Sequence, residues 1–292
     1  MKRKLVKQGA ATMMISLPSK WIKEFNLDKG DEIDLEESGK DLIIRSGKSI
    51  QEKTKSIINI SEFKPLGNRA IVSLYNKGVD ELEINFKDPE DVKKFQNKVI
   101  NELLGFEIIR QTQNTLYIKK IAESEEIDID DLIKRIFFIL DSMFEELISA
   151  LEKKQSLDPI IATDSSVNKF SHFCMRRLNK KGYKDFSKTS QVYGLVYDME
   201  KIGDAIKGIA EEYKESVKAS KQDIEILKKI KNLLNMVKNL FFNFNPEDTV
   251  KISLEYKKIK GLIKGKGLIA YYLFDLNRSI VSLDNHIFVI SL

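Results

Sequence analysis

The sequence predicts a multidomain α+β protein: a small β-rich unit, then a mixed α/β segment, then a long all-helical tail. Three observations carry this. Apolar residues alternate with period two through residues 3–45, mix two periods over 66–121, and recur every three to four residues from Ile129 onward. Turn signals at Pro18-Ser19, Leu27–Asp31, Ser38-Gly39 and Asp88-Pro89 punctuate the first two stretches. Charge changes sign sharply inside the first stretch alone.

In the first stretch Met13, Ile15 and Leu17 share one face of a strand. Pro18-Ser19 stops it and starts a short helix, with Ser19 as N-cap and Trp21 and Phe25 as an i, i+4 apolar pair. Gly30 suits a turn needing positive φ. Ile33 and Leu35 resume alternation, and Ser38-Gly39 turns into Leu42-Ile43-Ile44-Arg45. The order β-α-β-β in about 45 residues is too short to bury a good core alone, so a homodimer or higher assembly is expected.

Residues 48–64 are polar and Lys-rich. They read as a linker, or as a short strand at Ile57-Ile58-Asn59-Ile60. Over residues 65–122, Ala70–Tyr75 reads as a strand, and Leu82, Ile84 and Phe86 alternate in a second. Asp88-Pro89-Glu90 starts a helix carrying Val92, Phe95, Val99 and Leu103, which Gly105 closes. Phe106–Ile109 and Leu116–Ile118 read as a hairpin turned by Gln113-Asn114.

In the tail, Ile129, Leu132, Ile136, Leu140, Met143, Leu147 and Leu151 form one helical stripe. Asp158-Pro159 starts a second helix. A third spans about 190–217, and others about 222–242, 246–264 and 267–290. Six helices with short turns predict two antiparallel three-helix bundles in tandem, over 125–218 and 220–292.

Residues 1–23 carry Lys2, Arg3, Lys4, Lys7, Lys20 and Lys23 and no acid, whereas 24–41 carry eight acids against two lysines. That makes an electrostatic face able to lie across phosphates, so DNA is an expected partner. Apolar runs such as Ile136–Leu140 fall far short of a membrane span, and no apolar leader follows the N-terminus. The single cysteine, Cys174, excludes an internal disulfide and a Cys-rich zinc site. A cytoplasmic location is expected.

On the third tail helix, in Tyr197–Glu211, Glu200 and Asp204 lie at i, i+4 on one helical face, and Gly203 permits close packing. Like charges at that spacing ask for a neutralising cation, and hard carboxylate oxygens suit iron, manganese, magnesium or calcium. The preceding helix offers Asp164 and, one turn on, Asn168. The alternative is a charged outer face of an ordinary bundle.

Arg3–Lys7, Ile15–Trp21 and Leu27–Ile33 resemble the AbrB/MazE/SpoVT swapped-hairpin family over residues 1–47. The resemblance implies a DNA-binding dimer and nominates Lys2, Arg3, Lys4, Lys7, Lys20 and Lys23 as its DNA contacts. Gln8–Thr12 stands where a further basic residue often helps, so phosphate contacts are expected to outweigh base reading.

Asp198–Asp204 with Ile209-Ala210-Glu211, and Asp164–Phe170 with Arg176, resemble the hallmark helices of PhoU proteins. That resemblance implies tandem three-helix bundles and a metal ion, divalent or iron-type, at Asp164, Asn168, Glu200 and Asp204. It also implies phosphate-uptake regulation, with a phosphate transporter ATPase or signalling kinase as a possible partner. Residues 66–121 resemble the α/β spacer of archaeal proteins that join the two modules. Asn168 replaces an expected aspartate, and neither Glu255/Ile259 nor Asp275/Ser279 makes an acidic pair, so at most one metal site is expected.

His172 lies one turn past Asn168 and reads as a structural histidine. Gly261–Gly267 reads as a turn between helices, since no strand precedes it. No nucleotide-loop, nucleophile-elbow or metalloprotease motif occurs, and no enzyme activity is expected.

Overall fold

The computed structural model describes every residue except 39–40, 47–53, 99, 122–126, 216–218 and 266. The chain divides into two compact units, Met1–Lys53 and Thr54–Leu292. The predicted α+β arrangement of a small β unit followed by a mostly helical region is what forms.

In the first unit, β1 (Val6–Gln8) and β2 (Thr12–Met14) form one antiparallel hairpin, turned through Gly9 at φ 75°. Helix α1 (Ser19–Glu24) follows Pro18. Pro18 itself holds the N-cap position without a side-chain bond, so Ser19 opens the helix and does not cap it. Strands β3 (Asp34–Ser38) and β4 (Asp41–Arg45) make a second hairpin, whose expected Gly39 turn lies outside the described residues. Trp21 and Phe25 meet as predicted, with ring centroids 5.5 Å apart. Among the described residues of this unit Leu27 is the one buried hydrophobic; Leu5, Val6, Met13, Ile15, Leu35 and Leu42 are all exposed.

The second unit begins with β5 (Lys55–Asn59), so the strand reading of this stretch holds over the linker reading. Helix α2 (Gly67–Lys77), strand β6 (Glu81–Asn85), helix α3 (Pro89–Lys98), and strands β7 (Phe106–Gln111) and β8 (Thr115–Lys120) complete a small α/β layer. The sheet order is β5-β6-β8-β7, with β5 and β6 parallel and the other pairs antiparallel. A parallel pair needs a crossover, and α2 is that crossover.

This overturns the strand expected at Ala70–Tyr75. The run is rich in β-branched residues, which favour strands locally. Its buried members, Ile71 and Tyr75, flank an exposed Ser73, which a helix turns away from them but a strand would place on their face. Gly78, at φ 105°, closes the helix as a left-handed cap. Helix α3 stops at Lys98, short of the predicted Leu103; Leu103 still joins the core beyond a 3-10 turn at Ile100–Glu102. Val99, also expected on that stripe, lies outside the described residues.

Six helices follow: α4 (Ile129–Lys153), α5 (Asp158–Lys181), α6 (Thr189–Glu215), α7 (Lys221–Phe242), α8 (Pro246–Leu262) and α9 (Leu268–Ser291). Asp128 caps α4 and Pro159 sits in the first turn of α5. A capping box of Ser220 and Asp223 starts α7. Six stripe residues of α4, from Ile129 to Leu147, are fully buried and Leu151 packs at the margin. All six helices contribute to one hydrophobic core. Each fully buried Leu, Ile or Phe there contributes about 1.5–3 kcal/mol.

Helix α6 lies at the centre because three of its glycines let neighbours approach. A Cβ on Gly203 would meet Val167 of α5 at 3.0 Å. One on Gly194 or Gly208 would press on His286 or Tyr272 of α9, at 2.5 and 2.6 Å. Cys174 is buried in the core, and burial pushes its thiol well up, as suits a small apolar side chain. Gly265 and Gly267, both at positive φ, turn the chain between α8 and α9 as expected.

Candidate functional site

The α/β layer and the helices are held together by one buried ion network. The Arg176 side chain, 2% exposed, reaches from α5 into the end of α2. It donates to the Tyr75 carbonyl at 2.9 Å, the Val79 carbonyl at 2.7 Å and the Asp80 carboxylate at 2.5 Å. Its guanidinium also lies 5.0 Å from the ring centres of both Tyr75 and Phe106. Lys180 adds a second cation to Asp80 at 2.8 Å, and Asn179 donates to the Asn76 carbonyl at 2.8 Å. Burial opposes the charge on Asp80, but Lys180 and Arg176 outweigh it and hold the carboxyl below its ordinary range. Arg176 thus fixes the spacer to the bundle.

About three turns back along α5 the balance differs. Asp164 is buried, and its Oδ2 accepts from Lys207 of α6 at 2.8 Å and from Asn168 at 3.3 Å. Asp164 Oδ1 and Asn168 Oδ1 are buried with no hydrogen-bond partner among the described residues. Burial, then the carboxylates of Asp204, Asp164 and Glu102, push Glu200 up to about 7. The Asp204 side chain is 59% exposed and stands 4.0 Å from Lys207. The four residues expected to hold a metal are therefore neighbours, with Lys207 among them. Among the described residues, no group of three or more His, Cys, Asp or Glu is gathered tightly enough to hold a metal ion.

Above this cluster a cleft of about 720 Å³ opens between α2, α5 and α6. Arg69, Ser73, Asn76 and Lys77 form the α2 wall. His172, Met175 and Asn179 form the floor from α5, and Tyr193, Tyr197, Glu200 and Asp204 the α6 wall. Burial pushes His172 down to about 4, so the ring is neutral; its Nδ1 lies 3.5 Å from the Asn76 amide nitrogen. Lys201 stacks over Tyr197 at 4.4 Å and bonds to Asp198 at 3.1 Å.

Asp198, inside the quoted α6 motif, serves a different seam. It accepts from Ser282 at 2.5 Å and faces His286 Nε2 at 3.3 Å, both on α9. Burial opposes its charge, but His286, Ser282 and Lys201 hold it down at about 2.

Three parts of the site escape a reading of the sequence. Glu102 comes from the spacer, far from α6 in the chain. Lys207 stands within the quoted motif but reads there as a surface charge. Arg69, Ser73 and Lys77 recur every four residues, a helical signal hidden by the strand-like run they flank.

In the first unit Lys2, Arg3 and Lys4 precede β1, Lys7 lies in β1, and Lys20 and Lys23 lie on α1. All six are exposed, and among the described residues none has an ion-pair partner. Residues 6–52 match the family described as antidote-toxin recognition MazE, bacterial antitoxin. The N-terminal unit is a MazE/AbrB-like domain. Its match spans the two hairpins and α1, and its exposed apolar residues suit a module that pairs with a second copy. Comparison of the chain with curated proteins and with solved structures gives no match. No described helix is long and apolar enough to cross a membrane.

Proposed function

We propose that the chain is a PhoU-like regulator of phosphate uptake, acting as a DNA-binding transcriptional regulator through its N-terminal dimer. The observation that carries this is the MazE/AbrB-like domain with six exposed cations, without ion-pair partners among the described residues, on 23 residues that hold no acid. In a dimer those charges double, and each phosphate neutralised releases counterions. The helical tail is read as the sensing and partner-binding module, and no catalysis is assigned to it. In this reading the chain works in the cytoplasm.

A metal ion belongs to the same reading. Asp164 Oδ1 and Asn168 Oδ1 are buried acceptors without partners among the described residues, and with Glu200 and Asp204 nearby they would supply all-oxygen donors once drawn together around an ion. A hard divalent or iron-type ion bound there would replace the ammonium of Lys207 as the neutralising charge. Elemental analysis of the purified full chain and of Glu200→Ala/Asp204→Ala tests this. Equal metal content in both removes the ion from the proposal.

The DNA reading is tested by binding of the full chain to duplex DNA across a salt series. A steep loss of affinity with salt is expected, shallower in Lys4→Gln/Lys7→Gln/Lys20→Gln. Absence of binding at low salt would favour a second reading, in which the hairpins only dimerise and the tail docks on a transporter ATPase or kinase. Five of the six cations are lysines, which position on phosphates without reading bases, and that composition supports the second reading.

A further inference from the structure

The cleft between α2, α5 and α6 has walls of opposite character. Arg69 and Lys77 put two cations on the α2 wall, two turns apart on one face, and among the described residues neither has an ion-pair partner. The facing α6 wall carries Tyr193 and Tyr197 at i, i+4, then the Glu200 carboxyl, which has no hydrogen-bond partner among the described residues. Asn76 adds its side-chain Oδ1, buried and also without a partner among them. The cleft thus offers cations to an anionic group, aromatic surface to a flat body, and two unfilled acceptors to N–H donors.

The walls are also fixed in place. The Arg176–Asp80 network and the Asn179–Asn76 bond hold α2 against α5, so the cleft is preformed. At about 720 Å³ it falls within the usual range of small-molecule sites.

The geometry points to a nucleotide whose base carries an amino group, with its phosphate on Arg69 and Lys77, its base against Tyr197, and its N–H groups donated to Glu200 and Asn76. Each part of that ligand answers one unmet feature. A phosphate satisfies unpaired cations, including the planar guanidinium of Arg69. A base has a π-face for Tyr197 on the side that Lys201 leaves open. Adenine, guanine and cytosine each present N–H donors that a carboxylate accepts. Inorganic phosphate would use only the α2 wall and leave the acceptors empty.

The inference does not rest on DNA binding, and its test contains no DNA. Isothermal titration calorimetry of the full chain would use AMP, GMP, CMP, UMP and inorganic phosphate as separate titrants. One nucleotide per chain is expected, with UMP weaker than the best amino-bearing base and phosphate weaker still. Arg69→Ala/Lys77→Ala should weaken binding at least about tenfold. Both residues are exposed, so the variant's thermal midpoint should match the parent's. Glu200→Gln should narrow the gap between UMP and the preferred nucleotide. Lys4→Gln/Lys20→Gln should leave binding unchanged, which separates the cleft from the basic N-terminal unit. Three outcomes would each overturn the inference: no binding of any nucleotide at about millimolar concentration, equal affinity for phosphate and nucleotides, or affinity unmoved by Arg69→Ala/Lys77→Ala.

Discussion

Helix α5 carries two buried charge clusters, and they are built to opposite standards. The Arg176 guanidinium meets two backbone carbonyls, one carboxylate and two ring faces. Around Asp164 the match fails, with oxygens on Asp164 and Asn168 that have no partner among the described residues and a carboxyl on Glu200 crowded by three others. A matched network stabilises and fixes geometry; a mismatched one costs stability and leaves affinity for something else. The difference separates the part of the junction that holds the fold from the part that can receive a ligand.

The sharpest way to break the comparison is to remove a matched partner. Arg176→Ala takes one of two cations from a buried carboxylate and a donor from two carbonyls, and we expect a loss of about 3–5 kcal/mol in urea unfolding. A loss under about 1 kcal/mol would mean that Lys180 alone secures Asp80. The mismatched side should respond with the opposite sign. For Glu200 the folded state binds its proton more tightly, so stability falls as pH rises from about 4.5 to about 7 and is level above that. Glu200→Gln should abolish this fall and gain on the order of 2 kcal/mol at pH 8. Unfolding curves of parent and variant that stay parallel across that window would exclude it.

Asp284 extends the contrast to α9. It is buried, its Oδ1 has no partner among the described residues, and burial raises it to about 6. Asp284→Asn should likewise stabilise above pH 6, by about 1–2 kcal/mol, and have little effect near pH 4. Asp198, held down at about 2 by matched partners, should act in reverse. Its contribution is full above pH 4 and lost as pH falls toward 2, and Asp198→Asn should cost about 1–2 kcal/mol at pH 7 in a thermal melt. The smallest effect is expected on exposed Lys20. Lys20→Gln should leave stability within about 0.5 kcal/mol and flatten the salt dependence of DNA binding by roughly one contact.

Much of the fold was legible in the sequence, for reasons particular residues make clear. The stripe from Ile129 to Leu147 is a local pattern, and helices obey local periodicity. Asp158-Pro159 and the Gly261–Gly267 turn likewise act locally in the chain. Helix α2 was not legible, because Ile71 and Val72 favour a strand and only packing on the sheet overrules them. The candidate site was half legible. Glu200, Asp204, Asp164 and Asn168 could be brought together by helical spacing and adjacency of helices. Glu102, Lys207 as counter-ion and the α2 wall depend on contacts between distant parts of the chain.

By itself, then, the sequence determined the order of modules, the nature of the helical tail, the basic face of the first 23 residues, and which acids share a helical surface. These follow from short-range periodicity and charge, which any window of residues contains. Only the tertiary structure decided that α2 is a helix and that Arg176 is a clamp. The same is true of the cleft formed by spacer and bundle. Each depends on which surfaces meet, and Arg176 and Asp80 stand 96 residues apart in the chain.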